Sequence, residues 1–312
     1  MSFVSASGDY LYQPLPSLVP QGAHNPCNWS LSSSDLLYEL SPAEKIATRF
    51  SVEGNAIITG GCGHFGLEIA RALLEHGASG VSLFDVNPTR SHIVINQLRL
   101  DFPSANIIAK TVDVHDEHAV QRAVAETVVQ LGSVNMLLCF AGIENCNHAL
   151  LVGLEEWRHT LGMNVASSWH CARAVARCMI QQGTGGSIVF TASISAHSFN
   201  FPLPRVSNMG MSRGTLPASP QPKSSAAAEW ARYGIRVNSI SPGYMDSIYN
   251  DGIDLGEARR MWASRKPAGR MGDPSELTGT VVLLCSRAGK YINGADILVD
   301  GALFFTFCRD YC

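Results

Sequence analysis

Short apolar runs and amphipathic stretches alternate along the chain from about Phe50 onward. Runs such as NAIITGG, GVSLFDV, VNMLLCFAG and GSIVFTAS are typical of buried strands. Stretches such as FGLEIARALLEHG, which Gly77 closes, and EHAVQRAVAETVVQLG carry apolar residues at helical spacing. This alternation predicts an α/β fold, in which helices cover both faces of a doubly wound parallel sheet.

The first part of the chain has a different texture. Residues 1–49 are rich in Pro, Ser and Asn, with one short possible helix at SSDLLYEL, and we interpret them as a partly disordered N-terminal extension. Residues 50–312 then form a single domain, since neither an internal repeat nor a second linker interrupts the alternation.

Composition narrows the class of protein. The chain has 312 residues, 46% of them hydrophobic, and a net charge of -3 without a basic stripe, which argues against nucleic acid as a partner. No apolar run is long enough to predict a membrane span, and neither a CxxC pair nor a His cluster predicts a metal site. The nine cysteines are scattered, and the N-terminus lacks a secretory pattern, so we expect reduced thiols and a cytoplasmic location.

A glycine-rich loop follows the first predicted strand and opens a helix. Its residues Thr59, Gly60, Gly63, Phe65 and Gly66 form a turn of the kind that lets backbone approach a pyrophosphate, with the free N–H groups of the helix N-terminus beside it. Between a strand and a helix this loop predicts a dinucleotide site. His64 lies either near the phosphates or toward solvent, and we favour solvent.

Two aspartates end the next two strands. Asp85 is placed to accept hydrogen bonds from the adenosine ribose and to repel a 2′-phosphate, which favours NAD(H) and leaves NADP(H) as the alternative. A cap or loop role before Asn87-Pro88 is the other interpretation of Asp85. Asp113 would lie beside the adenine, or would instead act as the N-cap of the following helix.

A set of motifs carries a family resemblance: the glycine-rich turn, TVDV, CFAG, GMNVASS, GSIVFTASIS, GIRVNSISPGYMDS, GRMGDPSEL and YINGADILVDG. From about residue 50 to 301 the chain resembles the short-chain dehydrogenase/reductase family, most of all its polyol dehydrogenase and sorbose or xylulose reductase branch. The resemblance implies a Rossmann fold, a nicotinamide cofactor, hydride transfer with a small carbonyl or alcohol substrate, and a homodimer or homotetramer. It also implies that Ala141, Gly142, Arg173 and Met245 face the cofactor. His64 departs from the branch, because a glycine is common at its position.

The resemblance assigns two catalytic positions. Ser193, after the strand GSIVFTA, aligns with the serine that holds the substrate oxygen, and Asn164 aligns with the asparagine that supports a water relay. The alternatives are a helix cap for Ser193 and a helix-bending polar residue for Asn164.

The family's catalytic Tyr-x-x-x-Lys pair occurs nowhere in the chain. Residues 205–222, where the pair is expected, contain three prolines that predict a loop and a helix starting only near Lys223. A shifted reading frame or a natural loss would both give this pattern. His197, Tyr244 and Lys223 are candidate stand-ins for the missing base. Two functions therefore stay open: an NAD(P)-dependent oxidoreductase, or an impaired member that binds cofactor or ligand without this turnover or with non-redox chemistry.

Overall fold

The computed structural model describes residues 40–143, 149–197, 220–246, 260, 263–264 and 266–304. Within these ranges the chain forms seven strands and eight α-helices, joined by short 3-10 turns. The strands are β1 (Asn55–Thr59), β2 (Gly80–Asp85), β3 (Asn106–Thr111), β4 (Met136–Cys139), β5 (Gly186–Thr191), β6 (Ile235–Pro242) and β7 (Asp296–Val299).

All seven strands belong to one parallel sheet in the order β3-β2-β1-β4-β5-β6-β7. The order reverses between β1 and β4, so the chain runs outward from the centre in both directions. In open α/β sheets a ligand crevice forms at the carboxyl ends of the strands beside such a reversal. The predicted doubly wound Rossmann-like architecture is confirmed.

Helices cover both faces of the sheet. They are α1 (Pro42–Phe50), α2 (His64–Glu75), α3 (His92–Asp101), α4 (Glu117–Leu131), α5 (Leu154–Leu161), α6 (Ser167–Gln182), α7 (Pro220–Trp230) and α8 (Thr278–Cys285). Apolar side chains of α2, α3 and α8 pack on one face, and those of α4, α6 and α7 pack on the other. None of the helices in the described ranges is both long and apolar enough to cross a membrane.

Helix α1 is an element that the hydrophobic pattern did not predict. Ser41 and Glu44 form a reciprocal capping box around its first turn, and Pro42 occupies a position where a missing N–H costs nothing. No residue of α1 is buried, which explains why periodicity alone did not reveal it. Apart from Leu40, the short helix predicted at SSDLLYEL lies outside the described residues.

Helix α7 corrects the predicted helix start. It begins at Pro220, three residues before Lys223. Pro220 and Pro222 are tolerated there because the N–H groups in the first turn of a helix have no intrahelical partner, so a proline loses no hydrogen bond. The remainder of the predicted loop, residues 205–219, lies outside the described residues.

Candidate functional site

A cavity of about 590 Å³ opens at the carboxyl ends of β1, β2 and β4. Its volume falls in the range of small-molecule and cofactor sites, roughly 300–1,000 Å³. The sheet supplies its floor and the glycine-rich loop supplies one wall. Its lining comprises Gly60, Gly63, His64, Phe65, Gly66, Phe84, Asp85, Val86, Arg90, Val112, Val114, Phe140, Ala141, Gly142, Ile143 and Met163.

The glycine-rich loop lies so close to the neighbouring backbone that side chains do not fit. Gly60 has a φ of 62°, and a Cβ there would lie 2.8 Å from the backbone nitrogen of Ala141. A Cβ on Gly66 would clash with the carbonyl oxygen of Gly60. Thr59 does not line the cavity; its Oγ1 accepts a hydrogen bond from the Ala141 N–H at 3.2 Å, which ties β1 to the chain after β4. The loop therefore forms a backbone cradle of the kind that suits phosphate groups.

Asp85 lines the cavity with its carboxylate already oriented by backbone. Oδ2 accepts from the Cys62 N–H at 3.3 Å, and Oδ1 accepts from the Asn87 N–H at 3.0 Å. The second contact is the local loop role considered from the sequence, and it coexists with a place in the cavity wall. Burial and the adjacent Asp85 carboxylate raise the pKa of the Cys62 thiol to about 12, so that thiol stays protonated at neutral pH.

Two basic side chains share the cavity with Asp85. His64, at the first position of α2, is half-buried and lines it, so its placement near the phosphates and its placement toward solvent both stay open. Arg90, from the 3-10 turn after β2, lines it as well. The cavity lining thus combines one carboxylate with two basic side chains.

Asn164 holds the cavity wall that the chain after β4 forms at Ile143. It is buried in a π-helical turn, Gly162–Ala166, that joins α5 to α6. Its Oδ1 accepts from the Ile143 N–H at 2.9 Å, and its Nδ2 donates to the Ile143 carbonyl at 3.0 Å. Because both halves of the amide are bonded to one lining residue, Asn164 fixes the chain that follows β4. The helix-bending role is also present, since a π-turn widens the helix at this residue.

Ser193 follows β5 and is 4% exposed. It is the N-cap of the 3-10 turn Ile194–Ala196, where its Oγ accepts from the Ser195 N–H at 3.2 Å. The cap predicted as an alternative is therefore present. A capping hydroxyl uses one lone pair and keeps its proton to donate, so the cap is compatible with holding a substrate oxygen.

Three predicted residues lie away from this cavity. The Arg173 guanidinium is 3.5 Å from the Glu117 carboxylate, because α6 packs against α4. Met245 lines a separate cavity of about 90 Å³. Asp113 is exposed and accepts from the His115 N–H at 2.9 Å; the N-cap of α4 is Asp116, so the cap alternative for Asp113 is wrong.

The candidate stand-ins for the missing base have other contacts. Lys223 is buried, and its Nζ donates to the Ser239 hydroxyl at 3.0 Å. His197 Nε2 lies 2.6 Å from Asp296 Oδ2. The Tyr244 ring lies under Lys266 Nζ, 5.3 Å from its centroid. None of the three belongs to the lining of the 590 Å³ cavity in the described part of the chain.

Lys266 is a buried amine that the sequence analysis did not single out. Its Nζ donates to the Tyr244 carbonyl at 2.6 Å in the smaller cavity beside Met245. Burial lowers its pKa to about 8, against a smaller opposing effect of the Asp300 carboxylate. Lys266 lies just before the GRMGDPSEL motif, which gives no sign that this amine is buried. No sequence signal pointed to Ile143 and Met163 either, which reach the main cavity only through the π-turn.

We expect Lys266 to give the free energy of unfolding a distinct pH dependence. Between its native pKa of about 8 and its ordinary value of 10.5, the unfolded chain binds more protons than the folded chain at this residue. The free energy of unfolding of the wild type minus that of Lys266→Met should therefore rise by about 1–3 kcal/mol across this window. Urea titrations of both proteins from pH 7.5 to 10.5 measure the difference, and a flat or falling difference contradicts the burial of this amine.

No group of three or more His, Cys, Asp or Glu side chains that could hold a metal occurs among the described residues. The residues present fit a dinucleotide instead, because a glycine cradle, an oriented carboxylate and an apolar wall converge on one cavity.

The chain is similar to several known proteins over most of its length. A family model described as enoyl-(acyl carrier protein) reductase matches residues 64–303. The NADP-dependent mannitol dehydrogenase of Hypocrea jecorina is 31% identical over 262 residues, 83% of this chain and 96% of that protein. A sorbose reductase of Schizosaccharomyces pombe is 32% identical over 262 residues, 82% of this chain and 98% of that protein. A solved short-chain type dehydrogenase/reductase from Mycobacterium marinum has a TM-score of 0.73 and 32% identity, over 82% of this chain and 97% of that one.

Proposed function

Because the chain belongs to the short-chain dehydrogenase/reductase family, we propose that it binds a nicotinamide dinucleotide in the 590 Å³ cavity. We propose a polyol, a ketose or a related secondary alcohol as the substrate class, by similarity to the mannitol dehydrogenase and the sorbose reductase. The observation that carries the proposal is the convergence of Gly60, Gly66, Asp85 and the Asn164-held Ile143 on one cavity. The nicotinamide would supply or accept the hydride.

Different residues of the chain would contact different parts of the dinucleotide. Gly60, Gly63 and Gly66 leave space for the pyrophosphate at the N-terminus of α2, where the helix dipole favours negative charge. Phe65, which packs against Phe140 at a ring distance of 6.5 Å, closes the apolar wall beside them. Ala141 and Gly142 expose backbone without bulky side chains at the chain after β4.

The choice of cofactor depends on the end of the cavity near Asp85. The oriented carboxylate favours the two free ribose hydroxyls of NAD(H) and repels a 2′-phosphate. His64 and Arg90 act in the opposite sense, since both line the same cavity and could face a phosphate. The mannitol dehydrogenase relative is NADP-dependent by name. We propose that NAD(H) is preferred and that NADP(H) also binds.

The Asp85 argument can be tested by binding alone. We expect Asp85→Ala to weaken NADH binding roughly tenfold through lost ribose hydrogen bonds and to leave NADPH binding unchanged or tighter. Fluorescence titration with each cofactor measures both effects. Asp101→Ala, an exposed aspartate that pairs with Arg71 and is not part of the cavity lining, is the matched control and should change neither affinity. If the wild type binds NADPH more tightly than NADH, the proposed preference is wrong.

Chemistry at the substrate oxygen needs a proton as well as a hydride. We propose that Ser193, which caps the turn after β5, donates a hydrogen bond to the substrate oxygen. An alcohol oxidised to a ketone must lose its hydroxyl proton as the hydride leaves carbon, and reduction requires the reverse. A phenol does this at neutral pH only when a nearby cation lowers its pKa, and the chain has no Tyr-x-x-x-Lys pair.

The missing pair supports a second candidate function, binding of the cofactor with little turnover. The polar groups of Lys223 and His197 are bonded to the sheet, so neither offers an obvious replacement at the main cavity. In this case the framework would serve as a cofactor- or ligand-binding protein, or would support non-redox chemistry. Cofactor binding without polyol or ketose turnover distinguishes the second candidate from the first.

Restoring the pair tests which candidate applies. Residues 205–222 are replaced by a family-type segment of family length that carries Tyr-x-x-x-Lys, and ketose reduction by NADH is measured. We expect the rate to rise 10²–10⁴-fold, the usual contribution of a positioned acid or base.

The matched control for this replacement carries the same segment with Phe in place of its Tyr. It should fold and bind NADH as the restored form does but stay as slow as the chain as written. Equal turnover in the original and restored chains would show that another residue supplies the proton.

We also propose that the chain assembles as a homodimer or homotetramer, as the family resemblance implies. Val129 on α4 is 84% exposed and Leu154 on α5 is 61% exposed, so each of these helices presents an apolar side chain that a second copy could cover.

A further inference from the structure

A partly buried ionic cluster lies apart from the cofactor cavity, at the start of β7. Its centre is Asp296, whose side chain is 12% exposed. Oδ1 accepts from the Ser239 hydroxyl at 2.6 Å, and Oδ2 accepts from the Ser241 hydroxyl at 2.9 Å. Oδ2 also lies 2.6 Å from His197 Nε2, and Lys223 Nζ donates to Ser239 at 3.0 Å. We call these five residues the Asp296 cluster.

The cluster joins two places that flank one stretch of sequence. His197 ends the turn that Ser193 begins, and Lys223 lies in the first turn of α7. The chain between them is the stretch in which the family's Tyr-x-x-x-Lys pair is missing. Asp296 is 99 residues beyond His197, so the contact is made entirely by the fold. The Asp296 carboxylate on β7 therefore contacts His197 at one end of that stretch and is linked through Ser239 to Lys223 at the other end.

The charges in the cluster depend on one another. Lys223 is 3% exposed, and burial lowers its pKa while the Asp296 carboxylate acts in the opposite direction. A buried ammonium without a partner is costly, and so is a buried carboxylate. In the described part of the chain, the titratable groups facing Asp296 are His197 from the turn and Lys223 from α7. Phe304 contributes only an uncharged ring, edge-on to His197 at 6.3 Å.

The cluster does not have the geometry of a nucleophile–base–acid relay. A histidine in such a relay contacts the hydroxyl through one ring nitrogen and the carboxylate through the other. Here the same atom, Nε2, meets Asp296 at 2.6 Å and Ser241 at 3.3 Å. His197 Nε2 thus contacts two side chains of the sheet. This arrangement suits fixing the position of the turn better than transferring a proton.

We propose that Asp296 is a positioning residue for Ser193: through His197 it holds the turn that carries the serine, while through Ser239 it holds α7 at Lys223. The role given to Ser193 rests on the proposed function, whereas the clamp itself does not. Ser193 is the N-cap and His197 the C-cap of one three-residue turn, so a fixed imidazole limits where the serine hydroxyl points. This attachment accounts for the pairing of a buried lysine with a half-buried carboxylate at this edge of the sheet.

The first test measures order in the Ser193 turn by hydrogen exchange with mass spectrometry on the full chain. The N–H groups of Ala196 and His197 bond within the turn at 3.0 and 2.9 Å, so their exchange reports its opening. We expect His197→Phe, which keeps a ring but loses the donor, to exchange several-fold faster there. His197→Gln keeps a donor and should remain close to wild type.

The control for exchange is Thr127→Val, which breaks the buried hydrogen bond between Thr127 and Ser82 at 3.1 Å elsewhere in the core. It should leave exchange in the Ser193 turn unchanged. Wild-type exchange in His197→Phe, or equal acceleration in His197→Phe and Thr127→Val, would overturn the proposal.

The second test is a double-variant cycle between the two charges. Lys223→Met and Asp296→Asn should each lower Tm by roughly 5–10 °C, because each leaves a buried polar or charged partner unmatched. The double variant should lose clearly less than the sum of the two. Additive losses would contradict the clamp. If Lys223→Met does not fold, Asp296→Asn is compared with wild type in the exchange experiment, where acceleration at the Ser193 turn is expected and its absence counts against the proposal.

NADH titration of the same variants separates this inference from the proposed function. No member of the Asp296 cluster lines the cofactor cavity, so the variants should bind NADH as the wild type does. Failure of the wild type to bind NADH would count against the proposed function. The exchange and Tm results could still be interpreted, because neither measurement uses a cofactor.

Discussion

The contact between the glycine-rich turn and the chain after β4 is the constraint on which the site depends. Gly60 adopts a positive φ and leaves no room for a Cβ against Ala141, and Thr59 bonds the same residue through its hydroxyl. These contacts occur where the strand order reverses between β1 and β4. A side chain at Gly60 would push the two chains apart, and the cavity between them would lose its floor. The family's cofactor half is therefore retained through backbone geometry more than through particular side chains.

The two halves of the site differ in how far they keep the family pattern. The wall at Ile143 is held by Asn164 from a π-turn, and the carboxylate of Asp85 is held by two backbone N–H groups. On the proton-transfer side, Ser193 is the group that we propose for the substrate oxygen, and the chain has no Tyr-x-x-x-Lys pair. Cofactor binding and proton transfer would use separate groups. For this physical reason the loss of one need not remove the other.

The Asp296 cluster holds the two residues, His197 and Lys223, that flank the stretch in which the Tyr-x-x-x-Lys pair is missing. Because a buried cation is costly without a partner, we expect changes at Lys223 and at the half-buried Asp296 to affect each other. Lys223 directly follows the segment 205–222 that departs from the family, and Asp296 lies in a region that resembles the family closely. Their link through Ser239 therefore attaches the residue after the unusual segment to the sheet by specific polar contacts.

Local information in the sequence was sufficient for the framework. Hydrophobic period and glycine position predicted the parallel sheet, the helices on both faces and the loop from Thr59 to Gly66, because these features depend on residues close together in the chain. The same local reasoning missed α1, which buries nothing, and started α7 too late, because first-turn prolines are harmless. Contacts between distant residues were decided only by the tertiary structure. Arg173 meets Glu117 through the packing of α6 on α4, Asn164 reaches Ile143 through a π-turn, and His197 meets Asp296 across 99 residues. No pattern in the sequence encodes these pairings, because each arises from where whole elements pack once the apolar faces of the sheet are covered.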